Sequence, residues 1–288
     1  MTSLPVLKTN VRPHPLTRAI AIVQEKIRNP VVRRKIAWLT TLHRRRHVGT
    51  GGAALRELFD RGVTHFPGFI DAERTARLVK DLSSLPCFDP WNRKAGEFSF
   101  DVPPEGTHVG QIRLAPTLES LHELAMDDRI VDLATGYFNA KPYLDSIQAW
   151  WSYSGNETPQ EAENFHRDND GIRFLKFFIY MTDVGEANGP HVFVEGSPRS
   201  PVLTQLGRLG DAQVEEAFGK EKILVMIGKA GDAFLEDTFG IHKGQLPREG
   251  CRLLVQFRYA TAETQFRSPV VVVRPNPKKS SITSLVSK

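Results

Sequence analysis

The segment ENFHRDNDGIRFLKFFIYMTD spans Glu163–Asp183. Its second half, Phe174–Tyr180, has the aromatic and aliphatic content of a strand, yet Lys176 stands in the middle of it. Just ahead lies His166-Arg167-Asp168. Residues two apart on a strand share a face, so His166 and Asp168 project together. An imidazole and a carboxylate side by side are two of the three ligands of a facial triad for non-haem iron. The bare pattern has a second reading, the polar start of a strand whose histidine pairs with a nearby acid. Asp170 shares the same face and reads as a residue beside the site rather than a ligand.

A third ligand would come from a distant strand. His191 follows Gly189-Pro190 at the start of one strand, and His242 precedes a turn into another. His242 is the better placed, because its polar strand end leads on to a further polar position, Arg252.

Outward from this segment the pattern is one of short strands separated by turn signals: YLDSIQAWWSYS, GPHVFVEGS, KILVMI, GDAFLEDT and CRLLVQFRYA. Alternation along CRLLVQFRYA puts Arg252, Leu254, Gln256 and Arg258 on one face. Leu253, Val255, Phe257 and Tyr259 then share the other. The chain ahead of the strands is mostly helical. LESLHELAMDDRIVDLATGYF reads as a helix, and RGVTHFPGFIDAERTARL reads as a short strand and a helix capped by Asp71. Helical sequence ahead of a run of strands predicts an α+β protein, a β-sandwich or barrel braced by helices.

Charge divides the 288 residues unevenly. Residues 1–50 carry eleven Lys/Arg and one acid, against 27 Lys/Arg and 32 acids in the rest. Residues 16–47 read as two helices broken at Asn29-Pro30, with Val32, Ile36 and Leu39 as the apolar stripe of the second. Such a segment packs on the domain with its charges outward, or lies on an anionic membrane or a phosphate-rich partner. No helix-turn-helix or zinc module is present, which argues against specific nucleic-acid binding. Cys87 and Cys251 are far apart and form no metal or disulfide spacing. With no signal-peptide pattern and no long apolar run, a cytoplasmic protein is expected, with peripheral membrane contact through residues 16–47 as the variant of that reading.

In this order, FHRD, YMTDVGEANGP, VEGSPRS, GIHKG and CRLL resemble the phytanoyl-CoA dioxygenase family of Fe(II)/2-oxoglutarate oxygenases. The family often has P-G-S-H where this chain has Glu195-Gly196-Ser197-Pro198. The resemblance implies a double-stranded β-helix (jelly-roll, cupin-like) core over residues 54–265; residues 1–53, which it does not cover, read as a basic helical extension and 266–288 as a tail. It implies that His166, Asp168 and His242 hold Fe(II), and that Arg252 binds the far carboxylate of 2-oxoglutarate, with Arg248 and Arg258 as competitors for that role. Gln148, Lys176 and Arg258 are the further cosubstrate candidates. O₂ would be the co-reactant, and succinate and CO₂ the products. Related halogenases have Ala or Gly at the carboxylate position, so Asp168 implies hydroxylation. The substrate implied is a small molecule, or one linked to a lipid, sugar or carrier. Two alternatives stand beside this: a non-catalytic jelly-roll binding protein, and a membrane-surface adaptor working through the basic helices.

Overall fold

The computed structural model describes residues 23, 26–41, 52–114, 119–205 and 207–261. Most of the first predicted helix, residues 49–51 of the glycine-rich linker read at Gly49–Gly52, and the tail 266–288 lie outside these residues. Helix α1 runs Pro30–Thr41 and α2 Gly52–Arg61. Strand β1 (Val63–Phe66) and α3 (Ala72–Ser83) follow. Next come β2 (Cys87–Phe88), β3 (Glu97–Phe98), β4 (Val109–Ile112), α4 (Glu119–Ala125) and α5 (Asp128–Phe138). The strand-rich half comprises β5 (Tyr143–Tyr153), β6 (His166–Arg167), β7 (Phe174–Tyr180), β8 (His191–Val194), α6 (Asp211–Phe218), β9 (Ile223–Met226), β10 (Ala233–Glu236), β11 (Ile241–Gly244) and β12 (Cys251–Ala260).

The strands form two antiparallel sheets. The larger has the order β1-β10-β7-β12-β5-β4-β2-β3 and the smaller β6-β11-β8-β9. Together they make a double-stranded β-helix. Strand β7 explains how the two sheets and the helices share one core. Leu175, Phe177 and Ile179 pack outward with Leu78 and Leu82 of α3 and Ile130 and Leu133 of α5. Phe178 and Tyr180 face inward and meet Phe193 and Met226 of the smaller sheet. A strand covered on both faces tolerates no exposed position, and all seven residues of β7 are buried.

Local signals place several elements. The Asp71 carboxylate accepts the Arg74 amide at 2.7 Å and starts α3. Asn29 does the same for α1, its Oδ1 accepting from Val31 and Val32 at 2.9 and 3.2 Å. The single helix expected over LESLHELAMDDRIVDLATGYF is two helices, because Asp127 caps a new one through the Arg129 amide.

The buried face of α1 also departs from expectation. Val32 and Leu39 are 43% and 57% exposed, while Arg33 and Ala37 are buried. Arg33 overrides the apolar pattern because it finds a full set of acceptors. Its guanidinium donates to the carbonyls of Ile27 and Gly171 and to Asn169 Oδ1, and it stacks on Phe239 at 4.1 Å. Gly171 and Asn169 belong to the loop just after Asp168, so α1 is fastened to that loop. Among the described residues no helix is long and apolar enough to cross a membrane. Cys87 and Cys251 are both free thiols.

Candidate metal centre

His166 and His242 sit directly opposite each other on paired strands β6 and β11. Their rings are 4.3 Å apart, centroid to centroid. Each Nδ1 lies against a carbonyl of its own segment, Asn164 O at 2.9 Å and Gly240 O at 3.0 Å. A carbonyl only accepts, so each Nδ1 carries a hydrogen, and Nε2 is the nitrogen left to face a metal. Both Nε2 atoms point at Asp168, at 3.6 Å for His166 and 3.4 Å for His242. The three side chains offer donor atoms all within 4.8 Å of one another. Two imidazole nitrogens and one carboxylate oxygen, oriented by hydrogen bonds behind them, fit a divalent first-row metal.

The backbone around these residues is pinned. The Asp168 amide donates to Thr238 O at 2.9 Å. Arg167 donates to Ser197 O at 2.9 Å and Phe239 O at 2.6 Å, tying β6 to the start of β11. Ser197 Oγ accepts the Ile241 amide at 2.8 Å. The Glu195-Gly196-Ser197-Pro198 turn therefore fixes the strand that carries His242 without touching the metal cluster.

Burial pushes the His166 pKa down to about 3, helped by His242, so this ring stays neutral. Burial also opposes the charge on His242, but Asp168 outweighs it and the His242 pKa is raised. Burial would raise the Asp168 pKa, yet Lys176 and the two histidines hold it well below the usual carboxylate range.

Lys176 is the lysine within the β7 core. Its Nζ lies 2.5 Å from Asp168 Oδ2 and 3.0 Å from Asp170 Oδ2. The anion a buried ammonium needs is supplied by the protein itself. Arg258 continues the chain, with Asp170 at 3.0 Å and Asp145 at 2.5 Å. It shares a strand face with Arg252 but does not line the cavity, because these two carboxylates hold it on the far side of Lys176. Of the expected cosubstrate candidates, Gln148 and Lys176 line the cavity and Arg258 does not.

A cavity of about 280 Å³ opens between the sheets over the metal cluster. Arg252, Leu254 and Gln256 line it together, with Gln148 and Trp150 from β5. Gln256 Nε2 donates to Gln148 Oε1 at 2.9 Å, which leaves the Gln148 amide hydrogens for a ligand. Arg252 is buried and donates to Gly189 O and, at 3.0 Å, to Ser152 Oγ. Its Nε is buried with no partner. A guanidinium with a spare buried donor fits an anion. Gly244, two residues past His242, has no side chain, and a Cβ there would stand 3.3 Å from Arg252 Nη2. That gap lets the guanidinium approach the strand that carries His242. Arg248, the other competitor, is not among the residues lining the cavity.

Gly189 holds the carbonyl that Arg252 grips. Its φ is +70°, and a Cβ would come within 2.4 Å of Gln245 O. We expect Gly189→Ala to lower stability by about 1–3 kcal/mol. Chemical denaturation measures this, and an unchanged midpoint would show that the turn relaxes.

Sequence reasoning passed over two buried acids. Glu163 lines the cavity and pairs with His108 at 2.8 Å. Its only sequence signal is an acid three residues before His166. Glu236, on β10, is fully buried with His191 Nε2 2.9 Å away. His191 stacks near His242, centroids 5.5 Å apart, but lies outside the ligand cluster. Burial raises the Glu236 pKa to about 8, against an ordinary value of 4.5. Below the ordinary value the folded and unfolded states are both protonated, so this group has no effect there. As pH rises toward 8 the unfolded chain ionises first and the fold loses stability. In metal-free protein Glu236→Gln should remove a loss on the order of a few kcal/mol between pH 5 and pH 9. Parallel thermal melts of both proteins across that range test it, and identical pH profiles would refute it.

Fold and side chains together define a double-stranded β-helix with a two-histidine, one-carboxylate cluster at the mouth between its sheets. No protein-family model matches the chain, and no curated protein matches it in sequence. Solved structures do match its fold. EctD from S. alaskensis with bound Fe is 17% identical, with a TM-score of 0.56 over 81% of this chain and 85% of that one. HygX from Streptomyces hygroscopicus, with nickel and 2-oxoglutarate bound, is 17% identical at a TM-score of 0.53, covering 75% and 89%. The non-heme alpha ketoglutarate dependent carbocyclase SnoK from nogalamycin biosynthesis is 16% identical at 0.52, covering 72% and 83%. At these identities the likeness is one of fold.

Proposed function

We propose that the chain is an Fe(II)- and 2-oxoglutarate-dependent oxygenase of the phytanoyl-CoA dioxygenase type that hydroxylates a small molecule. The observation that carries this reading is the pairing of the His166–Asp168–His242 cluster with the under-partnered guanidinium of Arg252 in one cavity. His242, Gly244 and Arg252 line the same cavity, so a dicarboxylate held at the cluster would have its far end on the Arg252 side. The folds it resembles belong to proteins solved with Fe, with nickel and 2-oxoglutarate, or with hygromycin B, which supports a small-molecule substrate.

When bound, iron with 2-oxoglutarate and O₂ supplies the oxidising power, and succinate and CO₂ are released. The protein's part is placement. His166 and His242 present fixed Nε2 atoms. Lys176 occupies one face of the Asp168 carboxylate and keeps it ionised, which leaves it to act as a one-oxygen ligand. Arg252 binds the far carboxylate as a fork, and Gln148 donates from the opposite wall. Similar folds include a carbocyclase, so the fold does not select hydroxylation, and the retained Asp168 argues only against halogenation.

The test is succinate release from 2-oxoglutarate by the Fe(II)-loaded protein, compared with His166→Ala. Metal-dependent 2-oxoglutarate binding without any succinate would identify the non-catalytic binding protein instead. A lipid-linked substrate or membrane contact draws support from α1 alone, where Trp38 is 52% exposed. Sedimentation with anionic liposomes tests that reading, and equal pelleting by Trp38→Ser would remove it.

A further inference from the structure

A second cleft, of about 70 Å³, lies outside the β-helix where α1 meets the Gly171–Phe174 segment. Arg33, Arg34, Arg173 and Arg199 line it, from three separate stretches of chain. Asp237 is the one acid in its wall among the described residues. That carboxylate is already engaged, by the Tyr137 hydroxyl at 2.5 Å and the Phe239 amide at 3.1 Å. Asp60 stands 3.9 Å from Arg199, but its side chain is 76% exposed. Four guanidiniums against one spoken-for carboxylate leave an excess of about two to three positive charges in a concave, partly buried place.

The arginines differ in how they are used. Arg33 spends its donors on Ile27 O, Asn169 and Gly171 O, and so builds the wall. Arg173 stands over the Tyr137 ring at 4.3 Å, with the Asp237 carboxylate and the Tyr137 hydroxyl as its neighbours. Arg34 and Arg199 are more exposed and stand at the rim. Burial pulls the Arg33 pKa down to about 10, and Asp237 offsets only part of that cost. An anion in the cleft would offset more of it. A volume of this size holds more than one water and so accepts a single small oxyanion group. The excess charge matches a dianion better than a lone carboxylate.

We propose that this arginine-lined cleft binds a phosphate group, as inorganic phosphate or a phosphate monoester. Planar forks from several sides suit a tetrahedral oxyanion. The site is separate from the metal cavity, and the proposal stands whatever reaction occurs there. Because Arg33 grips the loop carrying Asp168, a bound phosphate also secures the seat of α1 on that loop.

The test is calorimetric titration of the full chain with inorganic phosphate and with glycerol 3-phosphate, against chloride at matched ionic strength. Arg34→Gln/Arg199→Gln, which alters only rim residues, should bind about a hundredfold more weakly, near tenfold for each arginine lost. Phosphatidylcholine vesicles containing phosphatidate distinguish the source. Binding to them but not to glycerol 3-phosphate, lost in the double variant, assigns the phosphate to a lipid headgroup. A second measurement uses the wild type alone: phosphate should slow phenylglyoxal modification of Arg34 and Arg199. No phosphate binding above the chloride background, undiminished binding by the double variant, or unprotected arginines would each overturn the proposal.

Discussion

Replacing Asp168 with alanine should abolish metal binding and also destabilise the metal-free protein by about 3 kcal/mol. The two effects have different origins. On the proposed reading metal binding is lost because one of three ligands is gone, and losses even in the groups behind a ligand cost 10–100-fold. Stability is lost because Lys176 stays buried with half its counter-charge removed. Breaking a buried pair costs about 3–5 kcal/mol, and Asp170, still 3.0 Å from Nζ, holds the figure at the low end. The origins separate in a second variant. Asp168→Ala/Lys176→Met should recover most of the stability and none of the metal affinity. Denaturant melts and anaerobic Fe(II) titration read the two quantities independently. If Asp168→Ala alone melts like the wild type, the ion pair is not what keeps Lys176 in the core.

The second large effect belongs to Arg252. Arg252→Gln should weaken 2-oxoglutarate binding by about 10–100-fold, the value of one or two charge-assisted hydrogen bonds. Metal affinity should hardly change, since Arg252 touches none of the three ligands. Arg252→Lys should recover only part of the loss, because an ammonium cannot offer the fork. Calorimetry on the metal-loaded protein measures this. Unaltered binding in Arg252→Gln would move the far carboxylate elsewhere in the cavity, with Gln148 the next donor to examine.

How far the sequence went can be traced in particular residues. Alternation along β12 placed Arg252, Leu254 and Gln256 on the cavity wall and Leu253, Val255 and Phe257 against the helices, as they stand. Strand parity is local, and one buried segment is enough to reveal it. The opposition of His166 and His242 was not local. It depends on the register of two strands far apart in sequence, which a polar strand end at His242 and the family order could suggest but not fix. Lys176 and Arg258 marked themselves as unusual, but their partners lie across strands and loops, so the Asp145–Arg258–Asp170–Lys176–Asp168 chain could not be read in advance. In α1 the apolar pattern misled, because an arginine with three acceptors and an aromatic ring outcompeted valine for the buried face.

The cross-strand placement of the two histidines has a consequence for how the gene can change. Strand β6 is only two residues long, so its position is set by registry and by the groups that pin it, not by its own ladder. One residue inserted between Gly240 and His242 would turn an imidazole to the opposite side. The large sheet, which pairs none of its strands with β6 or β11, would still close around its core. Length variation in this short stretch would therefore yield folded but metal-blind descendants, whereas the same insertion within β12 would strike at the core itself.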